Sequence, residues 1–151
     1  MAVDMPRPLL LDASAVVPWF VPEEMTPVAE LLLESDRPLL APRHLLGEVT
    51  NAILTQERRG RLPRGHAAQA WMLLRGMGAG LRRPGLTFLD EGEAPVFGRA
   101  IAIAERQGHA LYDCFYLALA EREGATLATF DRRMAELARR LSVSLWASEA
   151  A

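Results

Sequence analysis

Four acidic residues, far apart in the chain, fall where strands end or helices begin: Asp12 in LLLDAS, Glu48 in GEVTNAI, Asp113 in LYDCFYLALA and Asp131 in LATFDRRM. Carboxylates brought together repel one another unless a cation sits between them, so a crowded set should titrate above the ordinary range. Hard divalent cations such as Mg2+ and Mn2+ take oxygen ligands. A set of acids without His or Cys suits metal-assisted phosphodiester chemistry better than zinc chemistry.

Each acid also has an ordinary structural use. Asp12 ends a strand and can cap the next turn, and Ser14, two residues on, can hydrogen-bond a carboxylate or cap a helix. Glu48 and Asn51 are three residues apart, so they share a helix face beside the apolar stripe of Leu45, Leu46, Val49, Ala52 and Ile53. Asp113 lies in the first turn of a helix, where the dipole favours an acid. Its neighbours Tyr112, Cys114 and Phe115 make the surroundings apolar, and a carboxylate buried there needs a partner. Asp131 is a natural N-cap, with Thr129 placed to assist.

Other chemically capable residues read as structural. Asp90, Glu91 and Glu93 form an acidic cluster that suits a solvated cap for the helix that follows. His44, His66 and His109 lack metal-ligand spacing and read as surface or loop residues. Cys114, the one cysteine, reads as a small core residue. Trp19, Phe20, Phe97 and Trp146 also read as core. All 17 basic residues are arginine, which excludes lysine-based mechanisms and leaves phosphate contacts to guanidinium groups or backbone N–H. Most of the arginine pairs, at 58–59, 82–83, 132–133 and 139–140, read as solvated helix faces.

The elements that must position the acids alternate in type. Short apolar strands are expected at 8–12, 38–42, 86–90 and 125–129, with a last strand in SVSLWA. Helices are expected at 25–35, 43–60, from Pro63 to about 77, 93–108, 112–124 and 131–140. Glycines close several of them, at Gly60, Gly108 and Gly124. Such alternation predicts a parallel α/β sheet with helices on its faces. Open parallel sheets bind ligands outside the carboxyl ends of their strands, the rim where Asp12 and Asp131 fall.

Composition fits that reading. The chain has 151 residues, half of them hydrophobic, enough for one domain with a real core. A net charge of −2 gives no global attraction to nucleic acid, so any such contact would be local. The absence of a signal-peptide pattern, of a membrane span and of any possible intrachain disulfide leads us to expect a cytoplasmic protein.

The segments LLLDASAVV, PRHLLGEVTNAIL and LYDCFYLALAEREGATLATFDRRMAELA, in this order and spacing, resemble the PIN-domain ribonucleases. They are most similar to the VapC toxins of bacterial and archaeal toxin–antitoxin pairs. The stretch Y-D-x-x-Y-L-A-L-A…G…L-x-T-x-D is the most specific part, and the short D-x-S and E-x-x-N pieces are weak alone. The resemblance implies one PIN domain over residues 1–151, a Rossmann-like α/β/α sandwich with a central, mostly parallel sheet. It implies a Mg2+- or Mn2+-dependent endoribonuclease with Asp12, Glu48, Asp113 and Asp131 as its acidic, metal-binding site. Ser14, Asn51 and Thr129 match the supporting polar positions. It also implies an RNA substrate, a homodimer and a cognate VapB-like antitoxin. A structure-specific nuclease without a toxin role and an inactive RNA-binding module are the alternatives. An aspartyl-phosphate phosphatase of the haloacid dehalogenase type is disfavoured, because the chain has D-x-S in place of D-x-D and no lysine.

Overall fold

A computed structural model describes residues 5–147. Strand β1 (Leu9–Leu11) is buried at every residue, as is β2 (Leu39–Pro42). Continuous apolar runs of this kind belong to parallel strands covered on both faces. β4 (Thr126–Ala128) is likewise buried, whereas β3 (Thr87–Leu89) is partly exposed. The sheet order is β3-β2-β1-β4 and every pairing is parallel.

The crossovers explain that order. Helix α1 (Ala13–Val16), a 3-10 turn at Val17–Trp19 and α2 (Thr26–Glu30) lead from β1 to β2. Helices α3 (Leu45–Arg58) and α4 (His66–Gly78) lead on to β3. Helices α5 (Ala94–Gln107) and α6 (Leu111–Glu123) then return across the sheet to place β4 on the far side of β1, before α7 (Arg132–Arg140). The chain therefore leaves β1 and β4 in opposite directions. That switch point opens a crevice at their carboxyl ends, and it is where an open α/β sheet forms a site.

α6 is the central helix. Its residues Cys114, Phe115, Tyr116, Leu117, Ala118, Leu119 and Ala120 are all buried, which a helix can do only when covered on most sides. Gly124 ends it in the left-handed region, with φ of 60°, and Gly108 ends α5 in the same way.

Two expected elements are shorter than the sequence suggests. The helix expected over 25–35 is α-helical only to Glu30. It continues as i→i+3 turns, with Leu33 N–H donating to Glu30 and Ser35 N–H to Leu32. The strand expected in SVSLWA is a single parallel bridge, Leu127 to Leu145, made by two backbone hydrogen bonds of 2.8 Å. Ser142, with φ of 59°, turns the chain out of α7 only just before that bridge. Among the described residues no helix is long and apolar enough to cross a membrane.

Candidate active site

Asp12 follows β1 directly and caps α1, with its backbone N–H donating to the Ala128 carbonyl at the end of β4. It is 4% exposed. Its Oδ1 accepts from the Ser14 hydroxyl at 2.6 Å and from Ala15 N–H at 3.2 Å, and its Oδ2 accepts from the Thr129 hydroxyl at 2.5 Å. The two hydroxyls are themselves held from the β4 side. Phe130 N–H donates to Ser14 Oγ at 2.8 Å, and Asp131 N–H donates to Thr129 Oγ1 at 3.1 Å. Ser14 and Thr129 thus stitch the ends of β1 and β4 around one carboxylate.

That carboxylate is surrounded by neutral donors. Burial pushes its pKa up from 3.8 to about 6. The bonds from Ser14, Thr129 and Ala15 pull in the opposite direction, and the Asp131 charge adds a smaller upward push. Repulsion between acids was the expected cause of a raised pKa; desolvation is the larger one here.

The other three acids lie on neighbouring elements. Asp131 caps α7, its Oδ1 accepting from Met134 N–H at 3.0 Å. Asp113, in the first turn of α6, meets His109 Nε2 through Oδ2 at 3.0 Å. Glu48, in the first turn of α3, accepts from the Tyr116 hydroxyl through Oε1 at 2.8 Å. The remaining oxygens of these three acids have no hydrogen-bond partner among the described residues. Asn51 is exposed on α3, where its carbonyl accepts from the Thr55 hydroxyl.

The acids gather in this structure as an Asp12–Asp131 pair with Glu48 and Asp113 each on its own partner. Among the described residues no three His, Cys, Asp or Glu residues are close enough to hold one metal ion. The donor chemistry still fits a hard cation. Among the described residues Asp12 is a buried carboxylate with no cationic partner, and each of its three companions has one uncommitted oxygen.

The histidines were expected at the surface or in loops; His109 does lie between α5 and α6, but none of the three is exposed. His44 is packed against Tyr112, Phe115 and Tyr116, with ring centroids 5.7, 5.7 and 4.9 Å away. Its Nε2 lies 2.9 Å from Glu48 Oε1 and its Nδ1 lies 3.3 Å from Glu91 Oε1. Neither nitrogen is aligned for a hydrogen bond. His109 is mostly buried against Asp113, and His66 Nε2 lies 2.7 Å from the Phe20 carbonyl. Glu91 does not cap the helix after it. It accepts from Arg43 and His44 N–H, at the start of α3. Phe97, expected in the core, is 38% exposed. Cys114 is buried as expected, and burial pushes its thiol up to about 11, away from nucleophilic use.

Two of these contacts have a sequence signal, since His44–Glu48 and His109–Asp113 are i,i+4 pairs, His44 at the N-cap of α3 and His109 just ahead of α6. The Tyr116–Glu48 bond joins residues 68 apart in sequence, and no local pattern announces it.

The PIN-domain family model matches residues 9–140, a span that holds all four acids. The chain belongs to the PIN-domain family. Ribonuclease VapC3 of Pyrobaculum aerophilum is 31% identical over 132 residues, covering 85% of this chain and 92% of that protein. The PIN fold is also seen in solved structures. PAE2754 from Pyrobaculum aerophilum matches with a TM-score of 0.65 at 20% identity, over 87% of this chain and 79% of that one. VapC20 of Mycobacterium tuberculosis, a sarcin–ricin loop cleaving toxin, matches with a TM-score of 0.64 at 17% identity, over 85% and 93%. At those identities the likeness is one of fold. In this PIN domain the strand-end carboxylate, its two hydroxyls and the cap of α7 form one connected unit.

Proposed function

We propose that this PIN domain is a VapC-type endoribonuclease toxin that hydrolyses RNA phosphodiester bonds with Mg2+ or Mn2+. The observation that carries the reading is Asp12. A carboxylate buried at the β1–β4 switch point, with only neutral donors, is poised for a cation. The similarity to ribonuclease VapC3 over most of the chain supports the reaction class.

Asp12 and Asp113 would be the main metal-holding residues, with Glu48 and Asp131 completing the set directly or through water. When bound, such an ion eases deprotonation of water and offsets the charge that builds on the phosphate. Ser14 and Thr129 keep both oxygens of Asp12 in place. Glu48, with one oxygen free among the described residues, would orient the attacking water, and Asn51 lies one turn along the same helix face. Cys114 is buried and no lysine is present, so no covalent nucleophile is invoked. Local arginines, not the net charge, would meet the RNA backbone.

We further propose that the protein acts in the cytoplasm as a homodimer and is neutralised by a VapB-like antitoxin. The antitoxin's helix would lie along α2 and α3; between the segment before α2 and the end of α3 a cavity of about 380 Å3 is lined by Val21, Pro22, Glu23, Gln56, Arg61 and Leu62.

The test is direct. The purified protein should cleave RNA with Mg2+ or Mn2+, and EDTA should abolish cleavage. Asp12→Ala or Asp113→Ala should slow it at least ~100-fold. Undiminished rates in both variants would overturn the site.

A further inference from the structure

Glu48 is gripped on one side only. Tyr116 donates to Oε1, and His44 Nε2 lies 2.9 Å from that same oxygen. Oε2 has no hydrogen-bond partner among the described residues, and the Glu48 side chain is 39% exposed. The gripping groups cannot easily move. Tyr116 is 1% exposed in the all-buried stretch of α6, and His44 is packed against three aromatic rings. Glu91 in turn holds the backbone of Arg43 and His44 where α3 begins.

We propose that Tyr116, backed by His44, is a positioning residue for Glu48: it occupies Oε1 and leaves Oε2 as the single oxygen Glu48 offers to the reaction. This rests on the nuclease reading given above. The physical reason is entropic. A half-exposed glutamate has several rotatable bonds, and fixing it in advance removes an ordering cost from each turnover. The phenol suits this task, because its hydroxyl is a neutral donor held 2.8 Å from Oε1 by a buried ring. A neutral donor also leaves the carboxylate its charge, which a lysine or arginine in the same place would largely cancel.

The test is a double-mutant cycle read in two ways. Tyr116→Phe removes only the hydroxyl, and the freed Glu48 oxygen can reach water, so folding should survive. We expect kcat for RNA cleavage to fall about 10- to 100-fold, the range of a lost hydrogen bond to a charged group, while KM for RNA changes less than about threefold. In a Glu48→Gln background the same substitution should cost almost nothing further, because its effect runs through Glu48. Calorimetric titration with Mn2+ alone should show several-fold weaker binding in Tyr116→Phe. Glu48→Asp is the second variant. It keeps the charge but is one methylene too short to reach Tyr116, and it should lose kcat to a similar extent.

Wild-type kcat in Tyr116→Phe and in Glu48→Asp would overturn the proposal. So would a Tyr116→Phe loss that persists in full on the Glu48→Gln background, since the hydroxyl would then act on something other than Glu48. Failure of the nuclease reading looks different. The wild type would then cut no RNA with any divalent metal, and the Mn2+ titrations alone would decide whether Tyr116 positions Glu48.

Discussion

Asp12→Asn should stabilise the metal-free protein while abolishing its chemistry. Asp12 titrates near 3.8 in an unfolded chain and at about 6 in the folded one. Between those values the folded state holds the extra proton, so this group favours folding fully below about 3.8 and loses that contribution as pH rises through about 6. A displacement of two units at about 1.4 kcal/mol each makes the ionised carboxylate cost about 3 kcal/mol above neutral pH. Asparagine is neutral throughout and close in shape. Its carbonyl can accept from Ser14 and Ala15, and its NH2 can donate to Thr129 Oγ1, whose own proton can turn to Ser14 Oγ, 3.2 Å away. Urea unfolding in EDTA should therefore find the variant up to about 3 kcal/mol more stable at about pH 8, with the gain vanishing near pH 4. In thermal melts that gain corresponds to about 6–12 °C for a chain of this size. Saturating Mn2+ should narrow or reverse the difference, because only the wild type offers the ion a charged Asp12. A wild type as stable as the variant in EDTA at about pH 8, with no trend between pH 5 and 7, would refute the idea that burial holds the Asp12 proton.

Two further outcomes follow from the same site. Mn2+ should raise the melting temperature of the wild type by mass action, and Asp113→Asn should lose most of that rise. A full rise in the variant, measured by calorimetry, would remove Asp113 from the metal-holding set. Co-expressed antitoxin should form a tight complex and suppress RNA cleavage through a C-terminal arm whose guanidinium pairs with the free carboxylate oxygens. Truncating that arm should relieve inhibition in cleavage assays more than truncating the N-terminal half; the reverse order would refute the arm's role.

The sequence by itself determined the architecture and nominated the candidate acids. Short apolar strands closed by Asp12 or Pro42, helices ended by Gly108 and Gly124, and acids at element boundaries are all local signals. Each depends on backbone preference or on burial pattern within a few residues. The parallel sheet and the placing of Asp12 and Asp131 on its rim followed from them. The SVSLWA strand was not legible in the same way. β-propensity says that a segment can pair, whereas the length of pairing depends on where α7 releases the chain beside β4.

Only the tertiary structure decided what each acid touches. Thr129 meets Asp12 across 117 residues and Tyr116 meets Glu48 across 68, and no periodicity encodes such pairs. The histidines read as surface or loop residues because they lack metal-ligand spacing. The fold instead turns His44 into a packed wedge between Glu48 and Glu91, and His109 into the partner of Asp113. The titration of Asp12 is also a property of the fold. Sequence supplies a carboxylate next to hydroxyls, but desolvation, the dominant push on its pKa, exists only once β1, β4 and α6 have closed around it.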